Sequence, residues 1–500
     1  GNELNSKDTG ISVAVNYGQE DNDAIATLGG DIKVAGNVKI KAENLAPWQT
    51  AFTDTTAMGI VNDALLILLD PNLGVPNLVD SWAQGTATTE KVGVAGSVGV
   101  IDYDNNADAH INANTKLSVG KELDVKALND ITTVNFSGNV KSPLDATPIS
   151  AIWLKDKYKL GNMWGNEGEG AAVGGVALSV HQDNTAKAYI ADSAQVENTG
   201  ALQGKISAAK IKVEASNEAV NLAMAASGGK SDSVAVNGTV LVNRFDNSTE
   251  AYIGRTDMEL TKNTNVQDNG KVDVKATDKS LDISLGGAVG VTEGSTGIGA
   301  TIAYNHIDRD TSAYVLGNIK SATDITVEAK NTGNIVAVGV AGSIALPKTE
   351  ADNAVQTVDN AVGGGRDAIN VDEQTVNELL NVGETQEVTA DTGANMAQEV
   401  NDSASEANVA DAQNSFAIAA SVAVNRILDS AHAYVGKYAS DASKAYAPSI
   451  YAQSLNVHGI NDSEIINVTG AVSLNLEGLE NNNAIGGSFT YNSMTSDNTA

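Results

Sequence analysis

The sequence contains no cysteine among its 500 residues. This absence excludes disulfide bridges, thiol catalysis and cysteine-ligated zinc or iron–sulfur sites. Cationic residues are also scarce, because 31 Lys and Arg stand against 62 Asp and Glu and give a formal net charge of −31. Recognition of nucleic acid requires a basic surface that displaces counterions from phosphates. The charge balance therefore argues against a nucleic-acid partner.

Long apolar runs are missing as well. The longest covers residues 64–69 and is flanked by Asp63 and Asp70, whereas a membrane-spanning helix needs about twenty apolar residues. No membrane span is predicted. The chain opens without a signal-peptide pattern and stops inside a repeated block, which indicates an internal segment of a longer protein whose targeting segments lie elsewhere.

What the sequence does contain is repetition. A block of seventeen residues recurs seven times, and consecutive copies in the middle of the chain begin 63 and 62 residues apart. The copies begin at Gly10, Ala95, Gly174, Asn237, Gly299, Ala419 and Gly486. Such spacing is typical of a stacked repeat architecture, in which each unit packs on its neighbours.

Two further motifs fill each period, and both alternate apolar with polar residues. The first is exemplified by residues 123–127 and 272–276, and the second, richer in Gly, Ala and Val, by residues 335–343. Alternation with a period of two indicates half-buried β-strands. We predict an all-β, elongated, right-handed parallel β-helix (a solenoid), with five or six short strands and two to three turns in each period. Aromatic residues, at 4%, suit a narrow solenoid interior.

Two positions of the block are nearly constant. Stacked equivalent positions lie about 4.8 Å apart, so an invariant small residue indicates an inward position at a tight corner, unless alanine is simply frequent in this sequence. An asparagine suits a turn or a ladder of stacked amides. The fifteenth position is alanine throughout (Ala24, Ala109, Ala188, Ala251, Ala313, Ala433 and Ala500), and the seventh is asparagine in five copies (Asn16, Asn243, Asn305, Asn425 and Asn492).

Insertions interrupt the repeats at about residues 46–91, 141–170 and 346–413. The predicted organisation is solenoid over 1–345, an acidic and partly helical insertion over 346–413, and solenoid over 414–500 that continues beyond the segment. Tryptophan is enriched among binding hot spots, so the insertions are candidate recognition elements; the alternative is that they cover the flank of the solenoid. All four tryptophans lie in the first two insertions: Trp48, Trp82, Trp153 and Trp164.

One segment resembles the start of a calcium loop. Asp102, Asp104 and Asp108 supply oxygens at alternate positions, but Ala107 and Ala113 occupy the places where an EF-hand needs Gly and Glu. Because related sequences occur at the same place in other copies, a repeating turn competes with calcium binding. Calcium is the one cofactor that the sequence leaves open.

Catalytic signals are weak. Asp308, Arg309 and Asp310 come closest to the clustered carboxylates that glycoside-cleaving enzymes use, but they fall in the same segment of the block as copies without that cluster. The five histidines form no pair at metal-ligand spacing. We predict no catalytic, cofactor-binding or firm metal-binding residues, and no enzymatic activity.

The repeated blocks, which read GGVALSVHQDNTAKAYI and NGTVLVNRFDNSTEAYI in two copies and are followed by motifs such as LDVKA, resemble the passenger repeats of large bacterial filamentous adhesins. The most similar are the leukotoxin-type adhesins, a branch of the filamentous-haemagglutinin-like surface proteins. The resemblance covers residues 10–45, 92–140, 171–345 and 414–500. It implies a β-helix on the bacterial surface, exported by an outer-membrane partner, with an adhesive or scaffold role.

Three functions remain open from the sequence. The first is the stalk of a surface adhesin, with a host-cell or bacterial receptor or glycan as partner and with self-association into filaments as a further possibility. The second is a cytotoxic passenger, which the resemblance implies and no residue supports. The third is a carbohydrate-active β-helix enzyme, which would bring acidic residues and an arginine together in one groove.

Overall fold

The computed structural model describes residues 2–6, 8–46, 81–139, 166–195, 202–294, 296–345, 414–436, 448–475 and 481–500. These residues form two stacked β-sheets. One sheet has seven strands of about twenty residues each: β2 (Thr9–Leu28), β6 (Val92–Ile111), β10 (Ala171–Ile190), β13 (Val234–Ile253), β16 (Thr296–Val315), β18 (Asn414–Val435) and β20 (Asn481–Thr499).

The second sheet has thirteen strands: β1 (Asn2–Ser6), β3 (Asp31–Val34), β4 (Val38–Ala46), β5 (Ser81–Thr89), β7 (Lys116–Val119), β8 (Glu122–Gly138), β9 (Asn166–Gly168), β11 (Lys205–Ala208), β12 (Lys210–Ser231), β14 (Asp257–Leu260), β15 (Lys271–Thr292), β17 (Asn318–Ala345) and β19 (Ile450–Asn475). Each strand of both sheets pairs in parallel with strands of the neighbouring coils, as in the pairing of β13 with β16 and of β15 with β17. The prediction of an all-β parallel solenoid is confirmed.

The number of turns in each period differs from the sequence prediction of two to three. Val234 pairs directly with Thr296, so one period of 62 residues makes one coil and advances the stack by one strand spacing, about 4.8 Å. Each coil consists of a long strand in the seven-stranded sheet, a short strand, and a second long strand in the other sheet. The prediction of several short strands was wrong because the Asn, Asp and Gly residues that suggested turns lie within continuous strands.

The regular coil also extends into ranges that the sequence assigned to insertions. Strand β5 lies within 46–91 and pairs with β8, while β9 lies within 141–170 and pairs with β12. Residues 346–413, with their predicted helices, lie outside the described residues, as do Trp48, Trp153 and Trp164.

The alanine position is a column of the interior. Ala109, Ala188, Ala251, Ala313 and Ala433 have no solvent-exposed surface. They lie inside strands, two residues before the strand end, and not at a corner. The first copy is displaced by two residues, because Ala109 pairs with Ala26 and the predicted Ala24 pairs with Ala107.

The apolar part of the interior packs these alanines against β-branched residues of the opposite sheet. Val272, Val274 and Ala276 of β15 are fully buried and belong to the same hydrophobic cluster as Ala251. Burial of each Val or Ile contributes about 1.5–3 kcal/mol. Small residues on the inner faces of both sheets let the sheets approach closely. Along the axis, each coil is covered by the neighbouring coil.

Elsewhere the sheets meet backbone to backbone. A Cβ added to Gly299 would lie 2.2 Å from the carbonyl oxygen of Gly342 on the other sheet, and one added to Gly290 would lie 2.5 Å from that of Ile298. Glycine is therefore required at these positions by close approach. This explains the Gly- and Ala-rich stretch that precedes each block.

Between these zones, polar columns alternate with smaller apolar clusters such as that of Phe245, Ile307 and Ile427, and the amides of the polar columns stack along the axis. Three columns bond neighbour to neighbour with N–O distances of 2.7–3.1 Å. They comprise Asn22, Asn105, Asn184 and Asn247; Asn44, Asn129 and Asn217; and Asn243, Asn305, Asn425 and Asn492. The prediction that Asn16 belongs to this asparagine column was wrong. Asn16 pairs with Gly99, and its side chain donates a hydrogen bond to the Ser81 hydroxyl.

We predict that Ala251→Leu or Ala313→Leu lowers the free energy of unfolding by about 1–3 kcal/mol, because the larger side chain overpacks a closed column. Denaturant unfolding monitored by circular dichroism measures the change. Ala194→Leu, at an exposed position, is the matched control and should have little effect. Equal losses at buried and exposed alanines would contradict the packing account.

Candidate functional site

The outward face of the seven-stranded sheet carries the residues singled out from the sequence. Asp102, Asp104 and Asp108 lie within β6 on alternate positions, so the segment is strand and the predicted repeating turn was wrong. Their side chains contact different groups: Asp102 accepts a hydrogen bond from His181 Nδ1, and Asp108 accepts one from His110 Nδ1 at 2.6 Å. Successive outward positions on a strand are separated by about 6.6 Å, and the three carboxylates do not gather around one point.

The parallel register instead stacks carboxylates from different coils. Asp104 is one member of a column of five aspartates that pair in consecutive strands: Asp21, Asp104, Asp183, Asp246 and Asp308. Burial and the adjacent carboxylates of Asp104 and Asp246 raise the pKa of Asp183. A column of like charges at strand spacing is unfavourable unless cations lie beside it.

A second outward column, two residues earlier in each strand, supplies some of those cations. It runs Asp102, His181, Arg244, His306 and Arg426. The two ring nitrogens of His181 lie 2.8 Å from Asp102 Oδ1 and 3.0 Å from Asp246 Oδ2, and Arg244 Nε lies 2.7 Å from the same Asp246 oxygen. The two His181 contacts join neighbouring coils, whereas the pair of Arg244 and Asp246 lies within one strand.

These contacts shift the proton affinities in opposite directions. The hydrogen bond to Asp246, helped by that to Asp102, outweighs burial and raises the pKa of His181. Burial, together with the charges of Arg426 and Arg244, lowers the pKa of His306 to about 4. For Asp246, burial is outweighed by hydrogen bonds from His181 and Arg244, and its pKa is lowered.

Asp246, His306 and Asp308 come closest together among the potential metal ligands of the described residues, since one ligand atom from each lies within 4.8 Å of the others. A neutral imidazole with two carboxylates is a reasonable donor set for a transition metal. However, Asp246 already bonds Arg244 and His181, and Arg244 and Arg426 lie on the strands beside His306. A divalent ion would have to displace one guanidinium and approach another.

Along the C-terminal end of the same face, aromatic rings stack in a ladder. Neighbouring ring centroids are 4.7–4.9 Å apart and the planes differ by 5–12°. The members are His110, Tyr189, Tyr252, Tyr314 and Tyr434. Because the ring faces are occupied by one another, the surface presents ring edges and hydroxyls, and Tyr314 donates its hydroxyl to Glu250 at 2.6 Å.

The arginine of the suspected carboxylate cluster lies on the other side of the sheet. Arg309 is fully buried, whereas Asp308 and Asp310 are exposed on the outer face. Inside, Arg309 Nε bonds Asp429 Oδ1 at 2.8 Å, and Arg309 Nη1 lies 3.7 Å from Asp278 Oδ1. Two carboxylates and an arginine therefore converge, but in the closed interior, where no substrate has access.

This cluster replaces amides in two of the ladders. Asn247 pairs with Arg309, and Arg309 with Asp429, in one column, while Asp278 follows Asn217 in the other. Asn247 and Ser280 donate to the Asp278 carboxylate. Close to the guanidinium, Gly333 adopts φ +145°, and a Cβ there would meet Ser280 O at 2.0 Å and Arg309 Nη1 at 2.8 Å. Sequence spacing gave no sign of this cluster, because its members come from three different coils.

A surface depression of about 900 Å³ lies over the short strands of the second sheet. Its lining includes Lys33, Lys116 and Lys205 together with Asp31 and Asn114. Lys116 stacks between Asp31 and Lys205. The depression is a local cluster of cations on an acidic chain, but its side chains are exposed and not organised around a single point.

Of the four predicted binding tryptophans, only Trp82 belongs to a described element. Its backbone lies in β5, and its Cα pairs with that of Phe136 in β8. Trp82 is therefore part of the regular coil, while the other three lie outside the described residues.

Neither family models nor curated proteins nor solved structures yield a match to this chain. Among the described residues, none forms a helix with the length and apolar character needed to cross a membrane.

We predict opposite pH effects for the two histidines. His181 has a raised pKa in the folded state, so the stability it contributes is present below about pH 6.5 and is lost as the pH rises through the folded value. His181→Gln should therefore lower the melting temperature at acidic pH and have little effect at alkaline pH.

His306 has the reverse sign. Its folded pKa of about 4 lies below that of the unfolded chain, so its neutral burial costs stability as the pH falls from about 6.5 towards 4. His306→Gln should reduce the acid-side loss of stability. Thermal unfolding of both variants from pH 4 to 9 checks the pair, and parallel curves for the two would contradict the assignment.

We predict that Arg309→Leu destabilises the fold by about 3–5 kcal/mol, because it leaves two buried carboxylates without their cation. Replacing Arg309, Asp278 and Asp429 together by Asn should restore much of that loss by extending both amide ladders. Denaturant unfolding measures both. The exposed pair of Arg255 and Asp192 provides the control, since Arg255→Leu should cost less than about 1 kcal/mol.

Proposed function

We propose that this chain is a structural stalk, a passenger region of a large secreted bacterial surface adhesin. The observation that carries the proposal is the register: seven strands stack residue on residue, so each further period adds one coil with the same lateral contacts. Such a fold extends a protein along one axis by repetition. The resemblance of the blocks to adhesin repeats supports an extracellular location and export through an outer-membrane partner.

The distribution of chemistry supports a scaffold role over catalysis. The arginine and carboxylates that converge are closed inside the solenoid. On the outer face, His181 and Arg244 pair with Asp246 and offset part of the charge of the acidic column. Both arrangements contribute to joining coil to coil, which is what a stalk requires.

We further propose that adhesion to a cell-surface receptor or glycan depends on the insertions and not on the repeats. The stacked rings of the repeat face have their faces covered by each other, so they offer no open platform for a sugar ring. In the sequence, Trp48 lies between β4 and β5, and Trp153 and Trp164 lie between β8 and β9. Tryptophan is among the residues that dominate binding energy.

Two variants test whether the repeats form the stalk and the insertions carry the binding site. Removal of residues 234–295 takes out one period and joins the end of one coil to the start of the next, so we expect a folded protein that still binds host cells or glycans. Replacement of 47–80 by three Gly or Ser residues and of 140–165 by one, which spares β5 and β9 and keeps their register with β8 and β12, should abolish binding while thermal stability changes little. Flow cytometry with the labelled protein and thermal unfolding provide the two readouts.

The outcomes separate the alternatives. If the period deletion does not fold, the solenoid is not modular and the stalk proposal is wrong. If the insertion deletions melt early and bind normally, the insertions are covers for the solenoid and recognition lies on the repeats.

A further inference from the structure

The N-terminal half of each strand in the seven-stranded sheet carries outward residues without any charge. We call these four adjacent outward columns the apolar strip. It comprises Ile11, Val94, Val173, Val236, Ile298, Ile418 and Ile485; Val13, Gly96, Gly175, Gly238, Ala300, Ala420 and Gly487; Val15, Val98, Ala177, Val240, Ile302, Val422 and Phe489; and Tyr17, Val100, Ser179, Val242, Tyr304, Val424 and Tyr491.

The strip is accessible over much of its extent. Val98 and Val173, in the second and third strands of the stack, are 37% and 38% exposed, and Val15 at the first strand is 73% exposed. Ile298 is the exception, being buried. A contiguous apolar surface of several hundred Å² on a protein in water indicates an interaction site.

The size of the strip matches what a stable protein dimer buries. Seven strands at about 4.8 Å and seven residues at about 3.3 Å give roughly 750 Å². A standard interface buries about 800 Å² on each partner. The strip is therefore large enough to form a specific interface without contributions from other faces.

Charge limits where two copies of this chain can meet. The chain carries a net charge of −31, and the adjoining half of the same sheet displays the aspartate column, so two copies repel each other over most approaches. No Asp, Glu, Lys, Arg or His occurs at any of the strip positions. Two copies can approach closely where this charge-free surface of each faces the other.

The surface shape of the apolar strip suits contact with the same strip of a second copy. Its second column consists of glycine and alanine apart from Val13, and it lies between two columns of mainly β-branched residues, which makes a shallow groove parallel to the solenoid axis. In a two-fold arrangement, a ridge of either copy lies in the groove of the other. We infer that two copies of this chain associate side by side through the apolar strip.

The inference is tested with the whole 500-residue chain by sedimentation equilibrium over a range of concentrations. The wild type should show twice the monomer mass of 51.3 kDa at high concentration. Val240→Glu places two carboxylates in each dimer interface, one from each copy. It should raise the dimer dissociation constant at least about tenfold. Ser248→Glu, which adds the same charge on the same strand outside the strip, should leave it unchanged. Circular dichroism of both variants controls for folding.

A second measurement uses the absence of native cysteine. A thiol introduced by Val173→Cys should react slowly at high protein concentration and fast on dilution, whereas one introduced by Thr185→Cys, on the same strand outside the strip, should react fast at both. A wild type that stays monomeric, or a Val173→Cys thiol protected equally at all concentrations, would overturn the inference. The latter result would show that segments of the same chain cover the strip.

Discussion

The constraint on which the structure depends is parallel pairing in one register, with each coil placed on the next at a single strand spacing. Asp183 pairs with Asp246 and Asp246 with Asp308, and the same holds for every position along these strands. The contribution of a residue to stability therefore depends on how its side chain stacks on the equivalent side chains of the neighbouring coils. Alanine, asparagine and tyrosine satisfy this condition in different ways, through close packing, amide hydrogen bonds and ring stacking.

The polar interior follows from that constraint. A buried amide costs free energy unless both its donor and acceptor are used, and a stack of identical amides satisfies each by its neighbours, as Asn184 does between Asn105 and Asn247. Such a column also fixes the register, because a shift of one residue would leave every amide without a partner. The cluster around Arg309 shows that a charged group can replace amides if carboxylates of adjacent coils accept its hydrogens.

The outer face obeys the same geometry with a different chemistry. In its C-terminal half, a column of aspartates lies beside a column that contains His181, Arg244 and Arg426, and ion pairs offset part of the negative charge. Its N-terminal half carries no charge at all. One sheet thus presents a polar surface held by interstrand ion pairs beside an apolar surface suited to protein contact. A stalk that associates laterally would place its charged columns towards solvent and its apolar columns towards its partner.

The sequence by itself determined that the chain is a β-solenoid, because alternation with period two and repetition near 63 residues are both visible without coordinates. It also singled out the alanine column and the stacking of Asn243, Asn305, Asn425 and Asn492. It misplaced the first copy by two residues, since an alternating pattern fits equally well after a shift of two. It also divided each period into several turns, because Asn–Asp segments are typical of loops.

Only the tertiary structure decided that one period makes one coil, since pairing partners 62 residues apart are chosen by the packing of two whole sheets. It also decided that Arg309 lies inside while Asp308 and Asp310 lie outside, and that Asp278 and Asp429 accompany it. Those carboxylates are 31 residues before and 120 residues after Arg309 in the chain. They meet because stacking and the contact between sheets bring residues of three successive coils together, a relation that spacing along the sequence does not encode.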